Sequence, residues 1–184
     1  MKYLVVSDIH GSSYYARKIK EIYIKENPNT IILLGDLYYH GPRNPLTKDY
    51  NPMEVAKILN EHKDIILCTR GNCDAEVDEM ISDFEFEENI EIEINNKRFF
   101  FTHGHKYNIE NIPNNADALV YGHFHTGFIK EKQGVICANA GSISLPKNNT
   151  ANSYLIITEE EILLKDIDGN VIDGINIWKK LITE

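Results

Sequence analysis

Apolar residues come in short bursts separated by polar, glycine-containing turns, and the spacing inside each burst predicts an element. Tyr3 to Ser7 is a compact apolar run and predicts a buried strand. After Ser12 and Ser13, both suited to capping a helix, Tyr15, Ile19, Ile22 and Tyr23 recur on one helical face. Asn27-Pro28-Asn29 ends that helix, and Thr30 to Leu34 predicts a second buried strand. A polar loop runs to Asn51-Pro52, a capping residue and a first-turn proline ahead of a helix carried by Val55, Ile58 and Leu59. Asp64 to Cys68 predicts a third strand. Strand, helix, strand, helix, strand in this length implies right-handed parallel crossovers.

The second half changes character. Ile90 to Ile94 and Lys97 to Phe101 flank Asn95-Asn96, a hairpin signal. Ala118 to Tyr121 is a short apolar strand, and Gln133-Gly134 separates Phe128 to Lys132 from Val135 to Ala138. Tyr154 to Thr158 and Ile162 to Lys165 follow, and Asp168-Gly169-Asn170 turns into a last segment, Val171 to Trp178. No repeat, low-complexity tract or linker interrupts the chain. The expectation is one α/β domain over residues 1–184 with two sheets, a mixed one begun by the βα units and a second, mainly antiparallel one.

Composition narrows the function classes. With 184 residues, 42% hydrophobic and 26% charged, the chain can bury a full core and is not disordered throughout. The formal net charge of -9 disfavours duplex nucleic acid and anionic membranes as partners. No apolar run approaches the length that crosses a bilayer. The first apolar stretch meets Asp8 too soon for a signal peptide. Cys68, Cys73 and Cys137 form no CxxC pair, which reads as a reduced, cytoplasmic protein.

Polar residues collect where the predicted strands end, the edge at which α/β sheets bind ligands. The clusters are Asp8-Ile9-His10-Gly11, Gly35-Asp36, Gly71-Asn72-Cys73-Asp74, Thr102-His103-Gly104-His105 and Gly122-His123-Phe124-His125. Five of the seven histidines lie in them. Each fragment alone reads as a turn or a cap; five in order, each beside a glycine that permits a sharp turn, do not. Imidazole, carboxylate and amide oxygen together suit borderline divalent ions such as Mn, Fe, Co, Ni or Zn. Without a set of thiolates, a structural zinc finger is disfavoured.

With Gly41-Pro42-Arg43-Asn44-Pro45 and Asn139-Ala140-Gly141-Ser142-Ile143-Ser144-Leu145-Pro146, these motifs resemble the calcineurin-like metallophosphoesterases, nearest in wording to the YfcE-type bacterial phosphodiesterase subgroup. The resemblance runs along nearly the whole chain. It implies a four-layer α/β/β/α sandwich of two mixed sheets flanked by helices. It also implies two divalent metal ions, Mn above Ni, Zn, Fe, Co or Mg. Asp8, His10 and His125 would hold one ion, and Asn72, His103 and His123 the other, with Asp36 bridging. A hydroxide between ions about 3.5–4 Å apart would attack a small phosphodiester in line. Two such ions outweigh Asp8, Asp36 and the hydroxide by about +1, so an acidic protein can still hold phosphate. A homodimer or tetramer is compatible with the resemblance.

Other residues receive narrower expectations. His105 follows the motif without matching a ligand position and is expected to orient a ligand or substrate. Arg43 is expected to reach phosphate, and Gly141-Ser142 to present backbone N–H groups to an anion. Tyr38 and Tyr39 line the cleft or pack, His40 reads as exposed or structural, His62 as solvated, and Trp178 as core or interface. The alternatives are a phosphomonoesterase of the same fold and a non-catalytic scaffold like the retromer sorting subunit. The scaffold predicts gaps in the ligand set, and here all seven positions are filled. Cys73 stands where the wider family usually has His, and a thiol is a poor proton donor to a leaving oxygen. Cys73→His is therefore predicted to raise phosphodiesterase turnover on poor leaving groups, within the roughly 10²–10⁴-fold range of general acid help. Unchanged turnover at unchanged metal content would argue against a proton-donating role.

Overall fold

The computed structural model of the chain describes residues 1–178. Strand β1 (Lys2–Val6) leads to helix α1 (Ser13–Glu26), then β2 (Thr30–Leu33), α2 (Pro52–Asn60) and β3 (Ile66–Thr69). The third strand begins later than the apolar run predicts because Lys63–Ile65 form one turn of 3-10 helix. A short helix α3 (Glu76–Glu79) and a two-residue strand β4 (Phe86–Glu87) follow, neither marked by apolar periodicity. The chain continues through β5 (Ile90–Ile94), β6 (Lys97–Phe101), β7 (Ala118–Tyr121), β8 (Phe128–Lys132) and β9 (Val135–Asn139). It then forms β10 (Ser153–Thr158), β11 (Glu161–Asp166) and β12 (Val171–Asn176).

The helices start where their caps predict. Ser12 Oγ accepts the Tyr15 N–H, and Asn51 accepts the Glu54 N–H ahead of Pro52 in the first turn of α2. Asn27 closes α1 in the left-handed conformation at φ 47°. Among the described residues no helix is long and apolar enough to cross a membrane.

Two sheets result. One has the order β12-β11-β10-β1-β2-β3-β4, with β1 to β4 parallel and β10 to β12 added antiparallel beside β1. The other has the order β5-β6-β7-β9-β8, in which β6, β7 and β9 run parallel between antiparallel edge strands. The expectation of a mainly antiparallel second sheet is thus corrected to a mixed one. A parallel neighbour needs a crossover of a dozen or more residues, and residues 102–117 supply it between β6 and β7.

Alternation along each strand divides the core. Leu4 and Val6 of β1 meet Ala16, Ile19, Val55 and Leu59 of the helices. Tyr3 and Val5 face the other way, onto Phe99, Phe101, Val120 and Ala138 of the second sheet. The outer face of that sheet, with Leu119, Tyr121 and Cys137, is covered by Tyr107, Ile109 and Ile112 of the irregular crossover. Coil thus occupies the layer where the resemblance implies a helix. Trp178 is 60% exposed rather than in the core, with its N–H bonded to Asn176 Oδ1.

One buried charge ties α1 to the first sheet. Glu26, 8% exposed, is met by Lys2 Nζ at 2.7 Å, Lys165 Nζ at 2.7 Å and Tyr154 OH at 3.0 Å. Burial favours the neutral acid, but hydrogen bonds from Lys165, Lys2 and Tyr154 override that and hold the pKa at about 2. A depressed folded pKa stabilises the fold above the ordinary value of 4.5, and that stability is lost as pH falls toward 2. Glu26→Gln is expected to cost about 1–3 kcal/mol at neutral pH and to flatten the pH dependence of stability between 4.5 and 2. Denaturant melts across that range check it, and an unchanged acid limb would contradict it.

Candidate metal centre

The site forms where the C-terminal ends of both sheets meet. The β1–β2 ladder continues past the strands: Asp8 N–H bonds Gly35 O at 3.1 Å, His10 N–H bonds Asp36 O at 2.9 Å, and Gly11 N–H bonds Leu37 O at 2.8 Å. This sets Asp8, His10 and Asp36 side by side. In the second sheet, Gly122 N–H bonds His103 O at 2.8 Å and brings His103 beside His123. Gly122 lets the sheets close, because a Cβ there would fall on Ser7 Oγ. A Cβ at Gly71 would likewise fall on Asp36 Oδ1.

Five of these side chains rise from strained backbone. Asp8, His10, Asp36, His123 and His125 have φ of 57°, 50°, 54°, 64° and 58°. The left-handed region costs an L-residue roughly 1–2 kcal/mol. Hydrogen bonds hold the backbone there. Ser142 Oγ and Ser144 Oγ both donate to Asp8 O, at 2.8 and 2.9 Å, and Thr47 Oγ1 donates to His10 O at 3.0 Å. The Asp74 carboxylate accepts from the N–H groups of Asp36, Leu37 and Gly71 at 2.8, 2.9 and 2.7 Å.

Each aspartate divides its oxygens between protein and cavity. Asp8 Oδ2 accepts from Ser7 Oγ at 2.6 Å and from the His123 N–H at 2.9 Å. Asp8 Oδ1 is buried and has no hydrogen-bond partner. Asp36 Oδ1 accepts the Cys73 N–H at 2.8 Å, leaving Oδ2 to the cavity.

The histidines turn the same kind of atom inward. Nδ1 of His10, His103 and His125 faces the carbonyls of Tyr39, Leu34 and Leu145 at 2.8, 2.6 and 2.7 Å. A carbonyl only accepts, so each Nδ1 carries a proton and each ring turns Nε2 inward, where the neutral form presents a lone pair. His10 Nε2 and His125 Nε2 are 3.2 Å apart and lie 3.5 and 3.2 Å from Asp8 Oδ1. His103 Nε2 lies 3.1 Å from Asn72 Oδ1, 3.2 Å from His123 Nδ1 and 3.4 Å from Asp36 Oδ2. Asp36 Oδ2 is 3.7 Å from His10 Nε2, so both groups of donors share it.

Lone pairs at these distances repel unless something positive lies among them. Donors bound at about 2.0–2.2 Å in a tetrahedral or octahedral shell sit roughly 3.0–3.4 Å apart, close to the spacing seen. Proton affinities carry the same demand. Burial disfavours a charged His103, yet Asp36 and Asp8 push its pKa up to about 9. The Asp8 carboxyl, despite burial, is held well below the usual carboxylate range by the His10 and His125 rings. The orphaned Asp8 Oδ1 and the inward lone pairs fit a divalent cation.

Other expected site residues fall in different places. Cys73 and Arg43 line a cleft of about 730 Å³ above the donors, together with Tyr39, Phe124 and Lys147. Burial, then the Asp36 charge, pushes the Cys73 thiol up to about 12. His105 is exposed, with its ring 5.5 Å from that of His103 and 6.2 Å from that of His123. Gly141 and Ser142 do not reach the cleft. Both are buried, the Gly141 N–H is taken by Asn139 Oδ1, and Ser142 Oγ supports Asp8 from behind. Their expected contact with an anion is corrected accordingly. Tyr38 is core, its OH on Ser82, and His62 is half-buried against the Tyr23 ring rather than solvated. His40 is partly buried between Tyr39 and Tyr50. Asp74, Ser144 and Thr47, which hold the loops, received no role from the sequence.

Two mixed sheets whose strand ends converge on a cage of Asp, His and Asn define a metallophosphoesterase architecture. The chain belongs to the calcineurin-like phosphoesterase superfamily, whose domain matches residues 1–161. It is 38% identical to phosphodiesterase YfcE of Escherichia coli over 157 residues, 84% of this chain and 85% of the relative. The solved structure of that E. coli phosphoesterase superposes with a TM-score of 0.93 at 33% identity, covering 96% of this chain and all (100%) of the other. Phosphodiesterase MJ0936 of Methanocaldococcus jannaschii is 30% identical over 77% of this chain and 83% of its own. Vacuolar protein sorting 29 of Cryptosporidium parvum, at 16% identity and TM-score 0.64 over 95% of this chain and 97% of its own, shares the fold alone.

A cation that relieves the donor repulsion must also stabilise the fold. Manganese at about one hundred times its Kd is expected to contribute about 2.7 kcal/mol, a rise in Tm of roughly 5–10 °C over chelated protein. Thermal melts check this, and identical curves with manganese and with chelator would contradict it.

Proposed function

We propose that this chain is a metal-dependent phosphodiesterase that hydrolyses small phosphodiesters with two divalent ions, manganese foremost. The observation that carries this reading is the pair of donor groups sharing Asp36: Asp8, His10 and His125 on one side, Asn72, His103 and His123 on the other. Ions held there supply a Lewis acid that lowers the pKa of water and draws charge from a phosphoryl group. The protein's own part is to fix the donors, through the carbonyls on each Nδ1 and the serine hydroxyls behind Asp8. No side chain is required as nucleophile.

The cleft supports a small anionic ester. Arg43 and Lys147 stand on its wall and, among the described residues, neither is in an ion pair. Tyr39 and Phe124, 42% and 46% exposed, flank the donors and offer flat surfaces to an aryl or other planar ester group. His105, beside His103 and His123, is read as orienting substrate rather than as a ligand. The Cys73 thiol, held protonated, is the nearest group to a leaving-group donor in the loop after β3 and a weak one. This favours aryl esters, whose leaving groups need little protonation. The filled donor set favours catalysis over a binding scaffold. Three free cysteines and the acidic surface support a cytoplasmic enzyme that does not engage duplex nucleic acid. Residues 1–184 act as one functional domain.

The test compares metal-stripped and remetallated protein on an aryl phosphodiester and the matching monoester. Activity is expected to return with manganese, to favour the diester, and to fall by about 10²-fold or more in Asp36→Asn. Equal hydrolysis by all samples would refute the proposal, and preference for the monoester would move the assignment to a phosphomonoesterase.

A further inference from the structure

Cys73 has a second chemistry in its geometry, apart from proton donation. Its sulfur, a ring nitrogen of His10 and a carboxylate oxygen of Asp36 lie within 4.8 Å of one another. The residue is fixed there by its own N–H on Asp36 Oδ1 at 2.8 Å. The Asn72 amide stands between His103 and the thiol, with Oδ1 3.1 Å from His103 Nε2 and Nδ2 3.3 Å from Cys73 Sγ. The thiol is partly open to the cleft, whereas Cys68 and Cys137 are buried in the apolar cores. A sulfur in reach of a nitrogen and an oxygen donor gives the site a soft ligand beside hard ones, and ligand softness selects among divalent ions.

We infer that Cys73 is a conditional metal ligand. With a soft or borderline ion, cobalt, zinc or cadmium, the S–H proton leaves to solvent and the sulfur binds the ion that His10 and Asp36 also hold. With a hard ion, manganese or magnesium, the residue stays a thiol. The identity of the metal therefore sets whether Cys73 is a ligand or a protonated thiol. The inference rests on the metal site proposed above.

The test loads the full chain with cobalt(II), measures bound cobalt by metal analysis and records the near-ultraviolet spectrum. A thiolate-to-cobalt charge-transfer band is expected in the wild type and is lost in Cys73→Ser with cobalt still bound. Peptide-mapped alkylation by iodoacetamide gives a second readout: cadmium is expected to slow modification of Cys73 by about tenfold or more, and manganese to leave it unchanged. Bound cobalt without the band, or a band that survives in Cys73→Ser, overturns the inference while leaving the metal site standing. Equal alkylation with cadmium and with manganese also overturns it. Failure of cobalt to bind at all overturns the underlying site instead.

Discussion

Asp8 Oδ1 lies in the interior without a hydrogen bond, between the Nε2 lone pairs of His10 and His125. An unpaired carboxylate oxygen there is costly, since a buried polar group loses its water and gains nothing in return. Asp36 Oδ2 adds a second carboxylate oxygen to the crowd, 3.7 Å from His10 Nε2 and 3.4 Å from His103 Nε2. Positive charge is the one thing that satisfies both. Much else in the molecule keeps those atoms from escaping the conflict. The backbone carbonyls on Nδ1 stop the rings from turning, and Ser7, the His123 N–H and the Cys73 N–H occupy the opposite carboxylate oxygens.

That constraint explains why the two sheets pack as they do. The donors come from loops after β1, β2, β3, β6 and β7, so neither sheet holds the set alone. The face-to-face core of Val5, Ile32, Phe101 and Val120 sets the sheets in register, and the loops inherit that register. Strain in the left-handed residues is tolerated because rigid elements on both sides over-determine it. The hydrogen bonds behind the site are consequently as much a part of the chemistry as the donors. Asp74 is the clearest case: three backbone N–H groups converge on it, and Asp36 takes its position from them.

Much of this was legible in the sequence. Short apolar runs marked β1, β2, β3, β6 and β7, and the Asp, Asn and His residues beside glycine at their ends are the side chains that the structure brings together. Both signals are local, since a strand must end somewhere and a ligand must stand where the chain turns. The parts that escaped depend on contacts distant in sequence. Nothing in residues 102–117 shows that the crossover lies on the outer sheet face as coil, because the spacings of Tyr107, Ile109 and Ile112, two and then three, sustain no single period. Gly141-Ser142 looks like an anion-binding turn until Asn139 Oδ1 takes the Gly141 N–H and Asp8 O, far along the chain, takes the Ser142 hydroxyl. Asp74 was visible in Gly71-Asn72-Cys73-Asp74, but a carboxylate that binds backbone N–H groups has no periodicity to betray it.

In the proposed centre the two donor groups hold separate cations against a shared Asp36 oxygen. Anomalous diffraction from crystals grown with manganese tests it without reference to turnover. Two peaks are expected, one among Asp8, His10 and His125 and one among Asn72, His103 and His123, each also in contact with Asp36. No peak, or donor side chains rotated away from one another around ordered water, would contradict it.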